Sequence, residues 1–399
     1  MRDLRSRVIA RIDKERESLI EISLALHADP EIAYQEHRAS ARLASYLEAR
    51  GFEVERPYQG LTTSYRGNAS GRSAGPTVAI LAEYDALPDI GHACGHNLIA
   101  MMGTAAAIGA SEVLGELGGS IAAIGTPAEE GGGGKVALVR AGTFKGVDAA
   151  VMVHPSSRTL SGRTSLASNR VELEFYGKAA HAAAQPDRGI NALDGLIQTF
   201  NAVNAMRQHL KPDARVHGII TSGGSAANII PEYAAGKFSV RARDHTYQKE
   251  VLRRFIACAE GAAAATGTRL VVTVNENSGY QNMVPSTPLA ERWAEHVRSF
   301  GIEVTATADD ERMGSTDMGN VSQIVPSAHP YIGIAPDGTP GHSTAFRDAA
   351  ATPAAQANAI SAAKALALLA VDLLADPALL ARAKTEFADR QRAGIGKGS

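Results

Sequence analysis

Two histidines flank a cysteine in His92-Ala-Cys94-Gly-His96, two carboxylates adjoin at Glu129-Glu130, and single histidines stand at His154 and His342. Imidazoles, one thiol and carboxylates form a borderline-soft donor mixture that suits zinc and is compatible with manganese, cobalt or nickel. Cys94 can hold a metal only as thiolate, and metal binding itself drives that deprotonation. Adjacent carboxylates cannot easily point the same way unless they are in a turn. There, one can bind metal while the other accepts a proton from water.

Each residue also has an ordinary role to weigh. Cys94 alone reads as a buried structural thiol, and His92 as a loop histidine bonded to backbone. Cys258 lies on an apolar helix face and is expected to pack. The Glu129-Glu130 pair alone would be a solvated turn. Gly131 to Gly134 followed by Lys135 suggests a phosphate loop, but that pattern requires Gly where Glu129 stands and Ser or Thr where Val136 stands.

What lifts the set above these roles is its placement. Thr77 to Ala82 (TVAILA), Ser120 to Gly125 and Ala149 to Val153 are short apolar runs of the kind buried on both sheet faces, and Pro330 to Ala335 reads the same way. Asp85 follows the first run, with Cys94 and His96 in the loop leading to the next helix. Glu129 and Glu130 follow the second, His154 the third and His342 the fourth. Every one lies beyond the carboxyl end of a strand, where open α/β sheets build their sites.

Helices are expected from about Leu4 to Leu26, His37 to Arg50, Leu98 to Leu114 with Asn97 as cap, and onward from Pro353 with Thr352 as cap. Between about residues 169 and 278 the order becomes strand, helix, strand, strand, helix, strand, the split arrangement of a ferredoxin-like domain. The expected fold is therefore α/β. A mixed sheet covered by helices spans residues 1–168 and 279–399, and a ferredoxin-like α+β domain over 169–278 is inserted into it.

Composition narrows the function classes. With 40 basic and 42 acidic residues the net charge is −2, so neither nucleic acid nor an anionic membrane is expected as partner. Two cysteines make no disulfide framework, and the charged N-terminus lacks the apolar core of a signal peptide. A cytoplasmic location is expected.

The segments AEYDALPDIGHACGHNLIA, TPAEEGGGGK, the His-Pro pair at His154, GKAAHAAAQP, NIIPE, GSTDMGNVS and GHS, with the early HADPEIAYQEH, together resemble the aminoacylase/carboxypeptidase family of metallopeptidases. Within it they resemble the amidohydrolase branch with Cys in place of the usual bridging Asp, and most of all its p-aminobenzoyl-glutamate hydrolase and β-alanyl-lysine dipeptidase members. The resemblance implies a zinc-peptidase-like catalytic domain with an inserted lid that also dimerises. It implies two divalent metal ions per chain, zinc or manganese, held by Cys94, His96, Glu130, His154 and His342, with Cys94 shared between them. Asp85 would orient a ligand and Glu129 would be the general base. From the lid, His181 would stabilise the oxyanion in the partner chain's site, helped by Asn228, while Arg241 would hold a substrate carboxylate. Where the family has His two residues before the Asp, this chain has Glu83, which leaves the role of Glu83 open.

The implied activity is hydrolysis of the amide bond of an N-acyl or N-aminoacyl amino acid by a small-molecule hydrolase acting as a homodimer. A dipeptide exopeptidase is the enzymatic alternative. A non-catalytic binding protein is the other, though it would have no need of Glu129.

Overall fold

The computed structural model describes residues 1–307 and 314–393, leaving aside the side chains of 276–278. The chain divides into two compact units, Met1–Thr164 with Met283–Ala393, and Ser165–Asn282. The second unit begins and ends a little outside the expected 169 and 278, because its two outer-sequence strands run on past their alternating cores.

In the first unit the strands are β1 (Glu53–Glu55), β2 (Tyr65–Ser70), β3 (Thr77–Ala82), β4 (Ser120–Gly125), β5 (Ala149–Val151) and β6 (His154–Ser156). In the second they are β7 (Ala167–Tyr176), β8 (Arg215–Ser222), β9 (Tyr233–Ala242) and β10 (Arg269–Tyr280), and the chain returns to the first unit for β11 (Ser327–Ala328) and β12 (Tyr331–Gly333). The main sheet runs in the order β1-β2-β4-β3-β5-β11. From β4 to β11 all neighbours are parallel, while β2 and β1 extend it antiparallel and make it mixed.

Both faces of β3, β4 and β5 are covered, which is why these strands carry continuous apolar runs rather than alternation. The helix His96–Ser111 lies between the sheet and the helices Arg2–Ala28 and Pro353–Ala375 and is buried along nearly its whole length. Pro353–Ala375 is long and apolar enough to cross a membrane, but it packs on His96–Ser111, Arg2–Ala28 and Thr287–Ser299 and belongs to this core. Thr352 caps it, its hydroxyl accepting from the Ala355 amide.

Two local expectations are corrected. The helix expected from Leu98 begins at His96, with left-handed Gly95 (φ 74°) before it. Asn97 is thus inside the first turn instead of capping it, and its amide donates to Ser23 Oγ at 3.0 Å. The run Pro330 to Ala335 does not join the main sheet either. Its strand β12 pairs with β6 in a separate two-stranded parallel sheet, and β11 takes the edge position.

The second unit is a four-stranded antiparallel sheet in the order β10-β7-β9-β8. Two helices, Ala192–Arg207 and His245–Thr266, cover one face around Val171, Leu173, Phe175, Phe238, Val240 and Phe255. Asn191 caps the first and Asp244 the second. This is the ferredoxin-like topology. Its open face carries Arg170, Glu172, His217, Lys237 and Arg241.

Candidate metal centre

The loops at the carboxyl ends of β3, β4 and β5 bring the chemistry-bearing residues of the first unit together. Glu83 and Asp85 leave β3, and the same connection carries Cys94 to the helix that begins at His96. Glu129 and Glu130 leave β4. His154 opens β6 immediately after β5, and His342 stands before the short helix Thr344–Ala349.

Four overlapping groups of three potential donors result among the described residues, and two of them share no residue. In one, Glu83, His96 and His154 each offer an atom within 4.8 Å of the others; in the second, Cys94, Glu130 and His342 do the same. The sets adjoin, since His96 also groups with Glu129 and Glu130. Backbone contacts hold them in place. The Glu130 amide donates to Asp85 Oδ2 at 2.9 Å, and the His342 amide to the Ala93 carbonyl at 3.1 Å. His342 itself is held in the left-handed region, φ 57°.

The donor atoms are disposed to receive a cation. His96 Nδ1 faces Asp85 Oδ1 at 3.0 Å and His154 Nδ1 faces the Pro155 carbonyl at 2.6 Å, so in both rings the proton belongs on Nδ1 and the lone pair on Nε2. His96 Nε2 then meets Glu83 Oε2 at 3.4 Å, both atoms buried and neither in a hydrogen bond. Two buried lone-pair atoms facing each other form an arrangement that a metal ion between them satisfies. The donor chemistry fits a divalent ion.

Charge points the same way. Burial opposes protonation of His96, yet Asp85, Glu83 and Glu130 overcome it and hold its pKa well above the ordinary value. The pocket therefore calls for positive charge at that position. Burial and then the neighbouring carboxylates of Glu83, Glu130 and Asp317 push Glu129 well above the usual carboxylate range. Burial and Glu130 likewise raise the Cys94 thiol. A bound cation reverses that local logic.

Reading of the sequence left Lys135 and Asp317 without a role and that of Glu83 open. Lys135 is fully buried at the start of the helix Gly134–Arg140, and its ammonium donates to Glu83 Oε1 at 2.5 Å and to Asp317 Oδ1 at 2.7 Å. The Lys135 amide adds a bond to Asp317 Oδ2 at 2.9 Å. Glu83 thus turns one oxygen to Lys135 and the other toward His96. No local signal marks this lysine, because a lysine is ordinarily solvated and only the fold buries it.

The glycines before Lys135 serve close packing. A Cβ on Gly132 would lie 2.2 Å from the Tyr34 ring, and one on Gly134 would lie 1.9 Å from the Pro127 carbonyl oxygen. Side chains there would force open the turn that presents Glu129 and Glu130.

His181, Asn228 and Arg241 lie on the second unit. His181 is exposed, and its Nδ1 accepts from the Ala183 and Ala184 amides at 3.3 and 3.2 Å, which leaves the N–H on Nε2, facing outward. Asn228 adjoins it, its carbonyl accepting from the Ala182 amide at 3.0 Å. Arg241 stands on β9 with Nε donating to Ser239 Oγ at 3.1 Å.

Comparison with known proteins places this geometry in context. Residues 162–266 match the peptidase dimerisation domain. The chain is 39% identical to the Xaa-Arg dipeptidase of Mus musculus, over 96% of this chain and 92% of that protein. It is 29% identical to a p-aminobenzoyl-glutamate hydrolase chain of Escherichia coli, covering 94% of this chain and 93% of the relative. Its fold is similar to that of a dinuclear metal binding peptidase of the M20 family from Bacillus subtilis, with TM-score 0.65 and 22% identity over 91% of this chain and 99% of the other.

Proposed function

Because the chain belongs to the M20 family of metallopeptidases and amidohydrolases, we propose that this metal-dependent amide hydrolase is a dipeptidase whose preferred substrates end in a basic residue. The observation that carries the hydrolytic reading is the pair of adjoining three-donor sets at the strand ends with Glu129 beside them. The preference for a basic residue rests on the 39% identity to the Xaa-Arg dipeptidase across nearly the full chain. The p-aminobenzoyl-glutamate hydrolase relative supports the broader class of N-acyl and N-aminoacyl amino acids.

In this reading Cys94, His96, Glu130, His154 and His342 hold two divalent ions, zinc or manganese, and Glu83, whose Oε2 faces His96 Nε2, is a further candidate donor. Bound there, such ions supply Lewis acidity to the scissile carbonyl and make water more acidic. Glu129 accepts the proton of the attacking water and returns it to the leaving amine, so that no unprotonated amine is expelled. Asp85 fixes the His96 ring by accepting from Nδ1, and the Pro155 carbonyl does the same for His154. Lys135 offsets Glu83 and Asp317, keeping two buried carboxylates ionised next to the ligands.

The inserted domain joins two chains into a homodimer. Its edge strand β8 exposes Ile219 and Ile220, an unusual pair for a surface in contact with water. The outward Nε2–H of His181, with Asn228 beside it, is suited to donate to an oxyanion of the partner's substrate, and Arg241 to bind the substrate carboxylate.

The test is elemental analysis together with a substrate panel. About two divalent ions should be found per chain. Chelation should abolish hydrolysis, and zinc or manganese should restore it. Dipeptides ending in Arg or Lys should be cleaved faster than p-aminobenzoyl-glutamate or N-acetyl amino acids. A fully active metal-free protein would end the hydrolytic reading, and indifference to the terminal residue would end the basic preference.

A further inference from the structure

The turn that presents Glu129 and Glu130 contains a backbone outlier. Ala128, fully buried, sits at φ 60°, in the left-handed region that an alanine rarely adopts. Its carbonyl accepts from the Gly132 and Gly133 amides at 2.9 and 2.8 Å, which closes the turn on its downstream side. What holds the upstream side comes from elsewhere in the chain. The Ala128 amide donates to Glu36 Oε1 at 2.9 Å, and Glu36 is itself fully buried.

Glu36 belongs to a segment that touches the turn twice. Two residues before it, Tyr34 also has a left-handed backbone, φ 61°, and its hydroxyl donates to the Gly132 carbonyl at 2.8 Å. The segment is anchored at both ends. At one end the Glu31 carbonyl accepts from the Ala86 amide at 2.8 Å, in the loop that carries Asp85. At the other the Glu31 carboxylate accepts from the Arg38 and Ala39 amides at the start of the helix His37–Glu48. One short stretch therefore grips both the Asp85 loop and the Glu129-Glu130 turn.

The left-handed residue is what lets consecutive carboxylates serve two places. Glu129 groups with Glu83 and Asp317, Glu130 groups with Cys94 and His342, and the two meet at His96. Strained backbone persists only where surroundings over-determine it, and it gathers at functional sites.

We propose that Glu36, assisted by Tyr34, is a positioning residue for the hydrolytic site: by accepting the Ala128 N–H it holds that residue left-handed and so sets the directions of Glu129 and Glu130. This rests on the reading of Glu129 as base and Glu130 as ligand.

The experiment uses the full-length, zinc-loaded protein. Glu36→Ala should lower kcat at least tenfold with KM changed less than threefold. It should also weaken zinc binding, read by competition with a chromophoric chelator, by about tenfold because Glu130 loses its direction. Glu36→Gln, which keeps an acceptor oxygen, should lose less on both measures. The decisive variant is Ala128→Gly placed on Glu36→Ala. Glycine adopts the left-handed conformation without a holding contact, so kcat and zinc affinity should recover severalfold. A merely structural role for Glu36 predicts no such rescue. If Glu36→Ala does not fold, Tyr34→Phe, at a partly exposed position, should show the same paired loss at about two- to fivefold.

Unchanged kcat and zinc affinity in Glu36→Ala, or no recovery in the double variant, would overturn the proposal. Glu129→Gln separates the two readings. If it retains turnover, the assignment of the base fails while the zinc titrations still judge Glu36. If it abolishes turnover and Glu36→Ala is silent, the positioning inference alone fails.

Discussion

Asp85 accepts a hydrogen bond from His96 Nδ1 at 3.0 Å with one oxygen and from the Glu130 amide at 2.9 Å with the other. A single buried carboxylate thereby orients a ring from the loop after β3 and a carboxylate-bearing turn from the loop after β4. Burial alone would raise its pKa, but the His96 ring and then the Glu130 amide hold it below the ordinary aspartate value, so it stays ionised for this task. Asp85→Asn keeps the shape and loses the charge. Metal affinity should fall by about 10- to 100-fold, measured by chelator competition, with the fold unchanged by circular dichroism.

Glu129 and Glu130 should separate in paired substitutions. Glu129→Gln retains shape but cannot take a proton, so metal content should persist while turnover falls by about a hundred- to ten-thousand-fold. Glu130→Gln should instead release metal on dialysis, with turnover recovering in excess zinc. The reverse pattern in matched metal and rate measurements would exchange their roles.

Lys135 is the buried cation facing Glu83 and Asp317. Lys135→Met preserves length and volume but leaves two buried carboxylates uncompensated. Removing one partner of a buried ionic group is strongly destabilising, so metal-free protein should lose about 3–5 kcal/mol in urea unfolding. An unchanged midpoint would show that Lys135 carries no such burden.

How far the sequence led can be judged from particular residues. β3 and β4 were legible because strands buried on both faces become unbroken apolar runs, and Thr352-Pro353 because a cap followed by proline has few other uses. β1 and β2 were not. Glu53–Glu55 is three residues long, and Tyr65–Ser70 mixes Gly67 and Asn68 into an antiparallel margin with no clean period. The candidate donors Cys94, His96, Glu130, His154 and His342 stand out in the sequence because each follows an apolar run that reads as a strand. Lys135 and Glu36 could not, since a lysine or glutamate is ordinarily solvated and nothing local says that tertiary packing will bury it. Glu36 acts ninety-two positions away in sequence from the amide it holds, and only the fold brings them together.

A second buried carboxylate gives a stability signature distant from the metal centre. Asp372 accepts from Arg5 at 2.8 Å, Arg292 at 2.9 Å and His296 at 2.8 Å. Burial alone would raise its pKa, but the bonds from His296, Arg5 and Arg292 prevail and lower it to about 2. The folded value lies below the unfolded one, near 3.9, so the contribution is complete above about pH 4 and is lost as pH falls toward 2. That contribution is about 2–3 kcal/mol. Wild type should therefore unfold at higher urea than Asp372→Asn at pH 6, and the gap should narrow steadily below pH 4. A gap independent of pH would assign the effect to packing alone.

The last prediction concerns which site His181 serves. Its Nδ1 is taken by the Ala183 and Ala184 amides, leaving Nε2–H exposed as a donor, and the edge strand β8 on the same unit offers Ile219 and Ile220 for pairing with a second copy. A two-fold axis through such an edge makes each surface meet its own copy. Subunit complementation then reads the geometry directly. His181→Ala and Glu129→Gln chains are each inactive alone and are mixed under conditions that exchange subunits. If His181 acts on the partner's substrate, a mixed dimer holds one site with both lesions and one with neither, and activity returns toward half of wild type per mixed dimer. If His181 acts in its own chain, every site carries one lesion and activity stays absent. Exchange is verified independently by native mass spectrometry of differently tagged chains. Silence after verified exchange would therefore place His181 in its own subunit, and it would leave the metal chemistry of Glu129 and Glu130 untouched.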